Sequence, residues 1–215
     1  DEFKMRTLKP VLVGGKQAHR KILTRFSVHR LRGDHLYADD ARLFARYEEF
    51  LTKRNVVDFD TLVVKAAELL ENTPAAHEVR NRWRVILVDE FQDLNPVQYR
   101  IVRALARDHR HVFAVGDDEQ SIYAWAGADP RAFTAFLNDF GLTSPIYLGE
   151  NRRCPRHIFD LARRLVEKNP PIFENRETPQ ANRTSPFEVT AFHFDSDEAE
   201  LSWVVNDIVQ DRAVH

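Results

Sequence analysis

Val85-Ile86-Leu87-Val88-Asp89-Glu90-Phe91-Gln92-Asp93 is the stretch on which the reading of this chain turns. Four aliphatic residues in a row, ending abruptly in two acids, have the length and composition of a strand. The lack of alternation predicts burial on both faces, as in a parallel sheet. The same pattern returns at Val112-Phe113-Ala114-Val115, which runs into Gly116-Asp117. Between the two runs, Val97, Ile101, Val102 and Leu105 share one face of a helix predicted from about Pro96. A strand, a helix and a second strand in this order predict a doubly wound α/β fold.

Upstream, Leu43, Phe44, Tyr47, Phe50 and Leu51 recur at helical spacing between Ala38 and Lys53, with Asp39 or Asp40 as the expected cap. A further helix is expected from about Asp58, carrying Leu62, Val63, Ala66, Leu69 and Leu70, until Pro74 ends the pattern. Downstream, a helix from Pro130 to Asn138 leads to a short strand, Pro145 to Leu148, and a helix from Pro155 to Lys168. The proline-rich stretch Asn169 to Pro186 reads as irregular. A β-rich run, Phe187 to Phe194, then precedes a last helix from about Ser196, whose Asp195-Ser196-Asp197-Glu198 start reads as a structural cap. The basic segment Asp1 to Gly33 gives no clear pattern, and within it Pro10 to Lys16 reads as a strand or turn in a peripheral segment.

The 215 residues suffice for one large domain or two small ones, and 43% hydrophobic with 30% charged residues is ordinary for a globular protein. A formal net charge of −2 excludes a uniformly basic nucleic-acid binder, but not positive charge confined to one groove. The apolar runs are too short to span a bilayer, so no membrane association is expected. A lone cysteine, Cys154, excludes an internal disulfide and suits the cytoplasm. The start Asp1-Glu2-Phe3-Lys4 resembles neither a signal peptide nor an initiator, and reads as that of a truncated chain.

Ligands of parallel sheets gather at the carboxyl ends of the strands. Both apolar runs end there in acids, Asp89-Glu90 and Asp117-Asp118-Glu119. An apolar strand ending in Asp-Glu is the Walker B pattern of nucleotide hydrolases. The first carboxylate can hold hydrated magnesium and the second can take a proton from the attacking water. A phosphate loop requires Gly, four residues, then Gly-Lys-Ser/Thr. The only Gly-Lys pair is Gly15-Lys16, followed by Gln17 and with Pro10 at the first glycine position, so the chain carries no such loop. His109 and His111 read as a solvated turn, and Cys154 as a passive residue at a helix start.

Four segments in order carry a family resemblance. Val88-Asp89-Glu90-Phe91-Gln92-Asp93 resembles motif II of the UvrD/Rep helicases of superfamily 1, and Val115-Gly116-Asp117-Asp118-Glu119-Gln120-Ser121-Ile122-Tyr123-Ala124-Trp125-Ala126-Gly127-Ala128-Asp129 resembles motif III. Leu148-Gly149-Glu150-Asn151-Arg152-Arg153-Cys154 resembles motif IV. Val57-Asp58-Phe59-Asp60-Thr61-Leu62 resembles the Asp-Phe segment that precedes motif II.

The resemblance implies a RecA-like P-loop NTPase lobe with a parallel sheet, followed by the beginning of a second such lobe. Residues 1–37 would be peripheral, 38–143 the partial first lobe and 144–215 the start of the second. It implies ATP and Mg2+ as cofactors, and single-stranded DNA as partner. Asp89 would bind magnesium through water, Glu90 would be the base and Gln92 would sit near the γ-phosphate. Gln120 would sense that phosphate and Arg153 would reach it as an arginine finger. Tyr123 and Trp125 would stack on bases.

Two positions depart from the pattern. Ala126 stands where the family has arginine, which puts one link between phosphate and DNA in doubt. Arg152 replaces the tyrosine that stacks on adenine, a role a guanidinium can share. The implied activity is ATP-driven 3′–5′ translocation on single-stranded DNA in a DNA repair setting, with repair or recombination proteins as possible partners. Lacking a phosphate loop, this chain is expected to be inactive alone. The competing expectation is an incomplete helicase-like module that binds DNA or a protein without hydrolysing ATP.

Overall fold

The computed structural model describes residues 15–129, 131–169, 172–173, 178–186 and 188–214. Pro10 to Gly14, most of the stretch tested as a phosphate loop, lie outside the described residues. The chain divides between Ile146 and Tyr147 into two compact units, with Ile172 and Phe173 returning to the first.

The first unit opens with α1 (Lys16–Arg32), which begins at Gly15 and closes at Gly33 in the left-handed region, φ 84°. From Lys16 on, the segment that shows no clear pattern in the sequence is a helix of four to five turns; of the strand or turn expected over Pro10 to Lys16, only Gly15 and Lys16 are described, and Lys16 opens the helix. Helix α2 (Ala38–Lys53) follows as its spacing predicts. Its cap position is Tyr37, not Asp39 or Asp40. Asp40 is instead turned inward to pair with Arg25 of α1. Phe26, Leu36, Tyr47 and Leu51 form the buried seam between α1 and α2.

Helix α3 (Phe59–Asn72) starts where predicted, because the Asp58 side chain accepts from the Thr61 N–H at 2.8 Å. Asp58 also accepts from Tyr47 Oη at 2.6 Å and from Arg30 Nη1 at 2.7 and 2.8 Å. One carboxylate therefore pins together the end of α1, the middle of α2 and the start of α3. Burial alone would raise the Asp58 carboxyl, but the Tyr47 and Thr61 hydrogen bonds and the Arg30 charge hold it at about 2. The one-turn α4 (Ala76–Arg80) packs against α3, and Arg80 reaches Asp108 at 3.0 Å and the Leu70 carbonyl at 2.8 Å.

Strands β1 (Ile86–Val88) and β2 (Val112–Ala114) pair in parallel, with Ile86 opposite Val112, Leu87 opposite Phe113 and Val88 opposite Ala114. The connection is α5 (Pro96–Leu105), opened by a capping box in which Asn95 and Gln98 satisfy each other's backbone N–H. After β2 comes α6 (Arg131–Phe140). Val88, Val112 and Ala114 face a core built on Phe91, Tyr99, Val102, Ala132 and Phe136.

The opposite face corrects the expectation of strands buried on both sides. Leu87 is 74% exposed and Phe113 61%, with Val85 and Val115 also exposed. Side chains alternate across a strand, so one covering layer buries only every second residue. Among the described residues, helices cover one face of this sheet and leave the other bare.

In the second unit, the short strand expected over Pro145 to Leu148 does not form. Pairing falls two residues later, where β3 (Glu150–Asn151) runs parallel to β4 (Gln180–Ala181). Helix α7 (Arg156–Val166) matches the expectation. The β-rich run predicted over Phe187 to Phe194 has no strand among its described residues. There the apolar side chains serve ring packing instead, with Phe192 4.4 Å and Phe194 5.8 Å from Trp203. Trp203 lies on α8 (Asp197–Val214), where Ser196 Oγ accepts from the Ala199 N–H as the capping reading predicts. No helix among the described residues is long and apolar enough to cross a membrane.

Candidate active site at the strand ends

The carboxyl ends of β1 and β2 lie side by side in the first unit, so parallel pairing brings the two acidic clusters together. Asp89 and Glu90 are both exposed. Glu90 sits in the left-handed region, φ 48° and ψ 46°, where a residue with a side chain is strained by about 1–3 kcal/mol. Local bonds hold it there. Asp89 Oδ1 accepts the Glu90 N–H at 2.9 Å, and the Glu90 carbonyl accepts from Asp93 at 2.9 Å. The next residue, Phe91, is fully buried and donates its N–H to the Val115 carbonyl at 3.0 Å. Strain held by this many contacts is common at sites of chemistry.

Gln92 is 2% exposed, with its side-chain amide bonded on both sides. Its Nε2 donates to Glu90 Oε2 at 2.7 Å, and its Oε1 accepts from the Asp117 N–H at 2.9 Å. Asp117 in turn accepts from Gln120 Nε2 at 2.8 Å and from the Glu119 N–H at 3.1 Å. An unbroken hydrogen-bonded series therefore runs from Glu90 through Gln92 and Asp117 to Gln120. Asp93 ends the turn that follows Glu90. Burial and the neighbouring Glu90 charge push its carboxyl above the usual range. Its Oδ1 finds no hydrogen-bond partner among the described residues.

Tyr123 and Trp125 follow on the next turn, 43% and 66% exposed, with ring centres 6.0 Å apart. Neither ring is core. Gly127 closes this turn with φ 92°, and its N–H bonds the Ala124 carbonyl at 3.1 Å. Arg32, at the end of α1, donates to that same carbonyl at 3.3 Å. The Leu94 carbonyl accepts from the Asp129 N–H at 3.1 Å, tying the end of this segment to the turn after β1.

Arg152 and Arg153 lie in the second unit, both exposed. Arg152 pairs with Glu150 at 2.8 Å and holds that carboxyl below its usual range. Asn151 Oδ1 accepts the N–H groups of Arg153, at 3.1 Å, and Cys154, at 2.9 Å. The Arg153 carbonyl takes a bond from Arg183 at 3.0 Å. This fixes the backbone at Arg153 and leaves its guanidinium exposed.

Sequence reasoning passed over Gly116 and Asp117 as individuals. Asp117 was visible only as the first acid of a cluster, and nothing local says that its backbone N–H meets a side chain 25 residues away.

Comparison with known proteins decides the family. A family model described as the UvrD/REP helicase N-terminal domain matches residues 15–141. The chain belongs to the UvrD/Rep helicase family. DNA helicase II of Salmonella typhimurium is 43% identical over 129 residues, 60% of this chain and 18% of that protein. The ATP-dependent DNA helicase Rep of Escherichia coli is 35% identical over 164 residues, 74% of this chain and 24% of Rep. The ATP-dependent DNA helicase PcrA of Staphylococcus aureus is 34% identical over 130 residues, 60% of this chain and 18% of PcrA. The chain spans about a fifth to a quarter of the length of these curated relatives. All of the strand-end series, from Glu90 to Gln120, falls inside the matched helicase domain.

Proposed function

We propose that this chain supplies part of the ATP-hydrolysing centre of an ATP-dependent DNA helicase that translocates 3′ to 5′ on single-stranded DNA. The observation that carries the reading is the series Glu90–Gln92–Asp117–Gln120, which joins a carboxylate able to accept a proton to an amide able to contact phosphate. Residues 38–143 are read as most of a first RecA-like lobe, and 144–215 as the start of a second.

ATP with magnesium would supply the phosphoryl group and its neutralising charge. Asp89, exposed beside Glu90, suits a cation shared with phosphates. Among the described residues no three acids, histidines or cysteines converge to hold a metal by themselves, and magnesium of this kind needs only one or two carboxylates besides phosphate. Glu90 accepts the proton of the attacking water, its carboxylate aimed by Gln92. Gln120, held by Asp117, offers its amide to the γ-phosphate and reports its presence along the series. Arg153 contributes the planar donors that suit developing phosphate charge, and Arg152 stacks on adenine. Tyr123 and Trp125, a few residues beyond Gln120, stack on successive bases, so the phosphate sensor and the DNA contact share one segment.

Substituting Glu90→Gln in the complete helicase tests the reading. It keeps size and removes the base, so DNA-stimulated ATP turnover drops by about 10²–10⁴-fold while ATP binding persists. Unchanged turnover would show that Glu90 is not the base. A second reading, a helicase-like module that binds DNA without hydrolysis, concerns these 215 residues by themselves, which carry no Gly-Lys-Ser/Thr loop. An ATPase assay of the 215-residue chain with single-stranded DNA bears on it. Activity that vanishes with Glu90→Gln excludes that second reading.

A further inference from the structure

We infer that Gly116 and Gln92 form a positioning pair for Glu90: the bare α-carbon of Gly116 leaves the space in which the Gln92 carboxamide lies, and that carboxamide aims the Glu90 carboxylate. The inference rests on the reading of Glu90 as the base.

A backbone N–H only donates, so the partner of the Asp117 N–H must be the oxygen of the Gln92 amide. The nitrogen then has to face Glu90, where it lies 2.7 Å from Oε2. The orientation of this amide is thus dictated by the backbone at the end of β2, and the orientation of Glu90 by the amide.

Gly116 is what allows the arrangement. A β-carbon there would sit 2.5 Å from Gln92 Oε1, 2.9 Å from the Phe91 backbone nitrogen and 3.1 Å from Phe133 Cζ. The first two separations are shorter than atoms tolerate. Gln92 Oε1 cannot swing clear, since it is buried and already bonded to Asp117. The Phe91 nitrogen is itself bonded to the Val115 carbonyl, next to Gly116 in the chain. Any side chain at Gly116 therefore displaces the amide, the turn bearing Glu90, or both. Glu90 is sensitive to this because its side chain is exposed and the Gln92 amide supplies the hydrogen bond to its carboxylate. Misplacement of a catalytic group by about 1 Å costs on the order of 10²-fold in rate.

The test measures kcat and the KM for ATP in the complete helicase with single-stranded DNA. Gln92→Glu keeps the size and the oxygen facing Asp117, but turns a carboxylate toward Glu90 in place of the donor. The expected result is a fall in kcat of about 10- to 100-fold with KM changed by less than about twofold. Added to Glu90→Gln, the same substitution costs less than about twofold more, because residues that act as a unit are not additive. Gly116→Ala gives the same loss of kcat without loss of ATP affinity. Should that variant fail to fold, the Gln92→Glu and Glu90→Gln cycle decides alone. The pair is refuted if Gln92→Glu retains kcat, if its loss is matched by a rise in KM, if it is fully additive with Glu90→Gln, or if folded Gly116→Ala turns over normally. Normal turnover of Glu90→Gln by itself would instead overturn the assignment of the base, which separates the two failures.

Discussion

Asp58 and Gln92 are both buried polar side chains with bonds on two sides, and they occupy different kinds of ground. Asp58 gathers Arg30, Tyr47 and Thr61, all within the helical part of the first unit and remote in sequence from the strand ends. Its partners point inward and nothing reactive is exposed by the arrangement. Gln92 takes one bond from the backbone of Asp117 and gives one to a carboxylate that faces solvent. The first holds helices to each other. The second transmits the geometry of a rigid strand end to an exposed acid. Burial of a polar group costs free energy unless it is paired, so each site is fixed in place by its hydrogen bonds. What differs is whether the last group in the network is inside or outside.

If that difference is real, damage at the two sites will separate stability from turnover. Asp58→Ala strands Arg30 beside Glu48 alone, and removal of one partner from a buried pair is expected to destabilise by about 3 kcal/mol. Urea unfolding of the 215-residue chain measures this loss, and Glu90→Gln, at the exposed end of the other network, should unfold at a higher urea concentration than Asp58→Ala. The opposite order would break the comparison.

Trp125→Ala sharpens it at an exposed position. Loss of a stacked base costs roughly 1–3 kcal/mol, so single-strand affinity of the complete helicase should fall by about one to two decades. The thermal midpoint should stay put, because the ring is 66% exposed. An early melt with unchanged affinity would make Trp125 a packing residue.

Acid provides a third, smaller test. The Asp58 carboxyl is held at about 2, below its unfolded value, so the folded state binds this proton more weakly than the unfolded chain. The resulting stability is present above about pH 4 and is lost as pH falls toward 2. Its size is on the order of 2 kcal/mol. Asp58→Asn should flatten that part of the stability profile between pH 4 and pH 2.

The alternation of aliphatic runs and helical spacing was enough to read an α/β chain with parallel strands, since those patterns are local. Helices α2, α3, α5, α6 and α7 were legible for the same reason: apolar positions recur every three or four residues, and Asp58 and Pro96 mark two of the starts. Motifs II and III were legible as strings, and with them Asp89, Glu90, Gln120, Tyr123 and Trp125 as candidates. Burial was not. Leu87 and Phe113 read as core from composition, yet whether a strand face is covered depends on what packs there. The run after Phe187 has strand-forming residues and no strand among its described residues, because pairing needs a partner edge that no local sequence supplies. Nor could any local pattern show that Gln92 turns away from solvent to meet a backbone N–H at the end of another strand. The sequence by itself determined the family, the succession of β1, α5 and β2 and the identities of the chemical groups, all of which are carried by neighbouring residues. Only the tertiary structure decided the bare sheet face, the buried Gln92 and the need for glycine at 116, because each depends on atoms that parallel pairing brings within a few ångströms across more than twenty residues of chain.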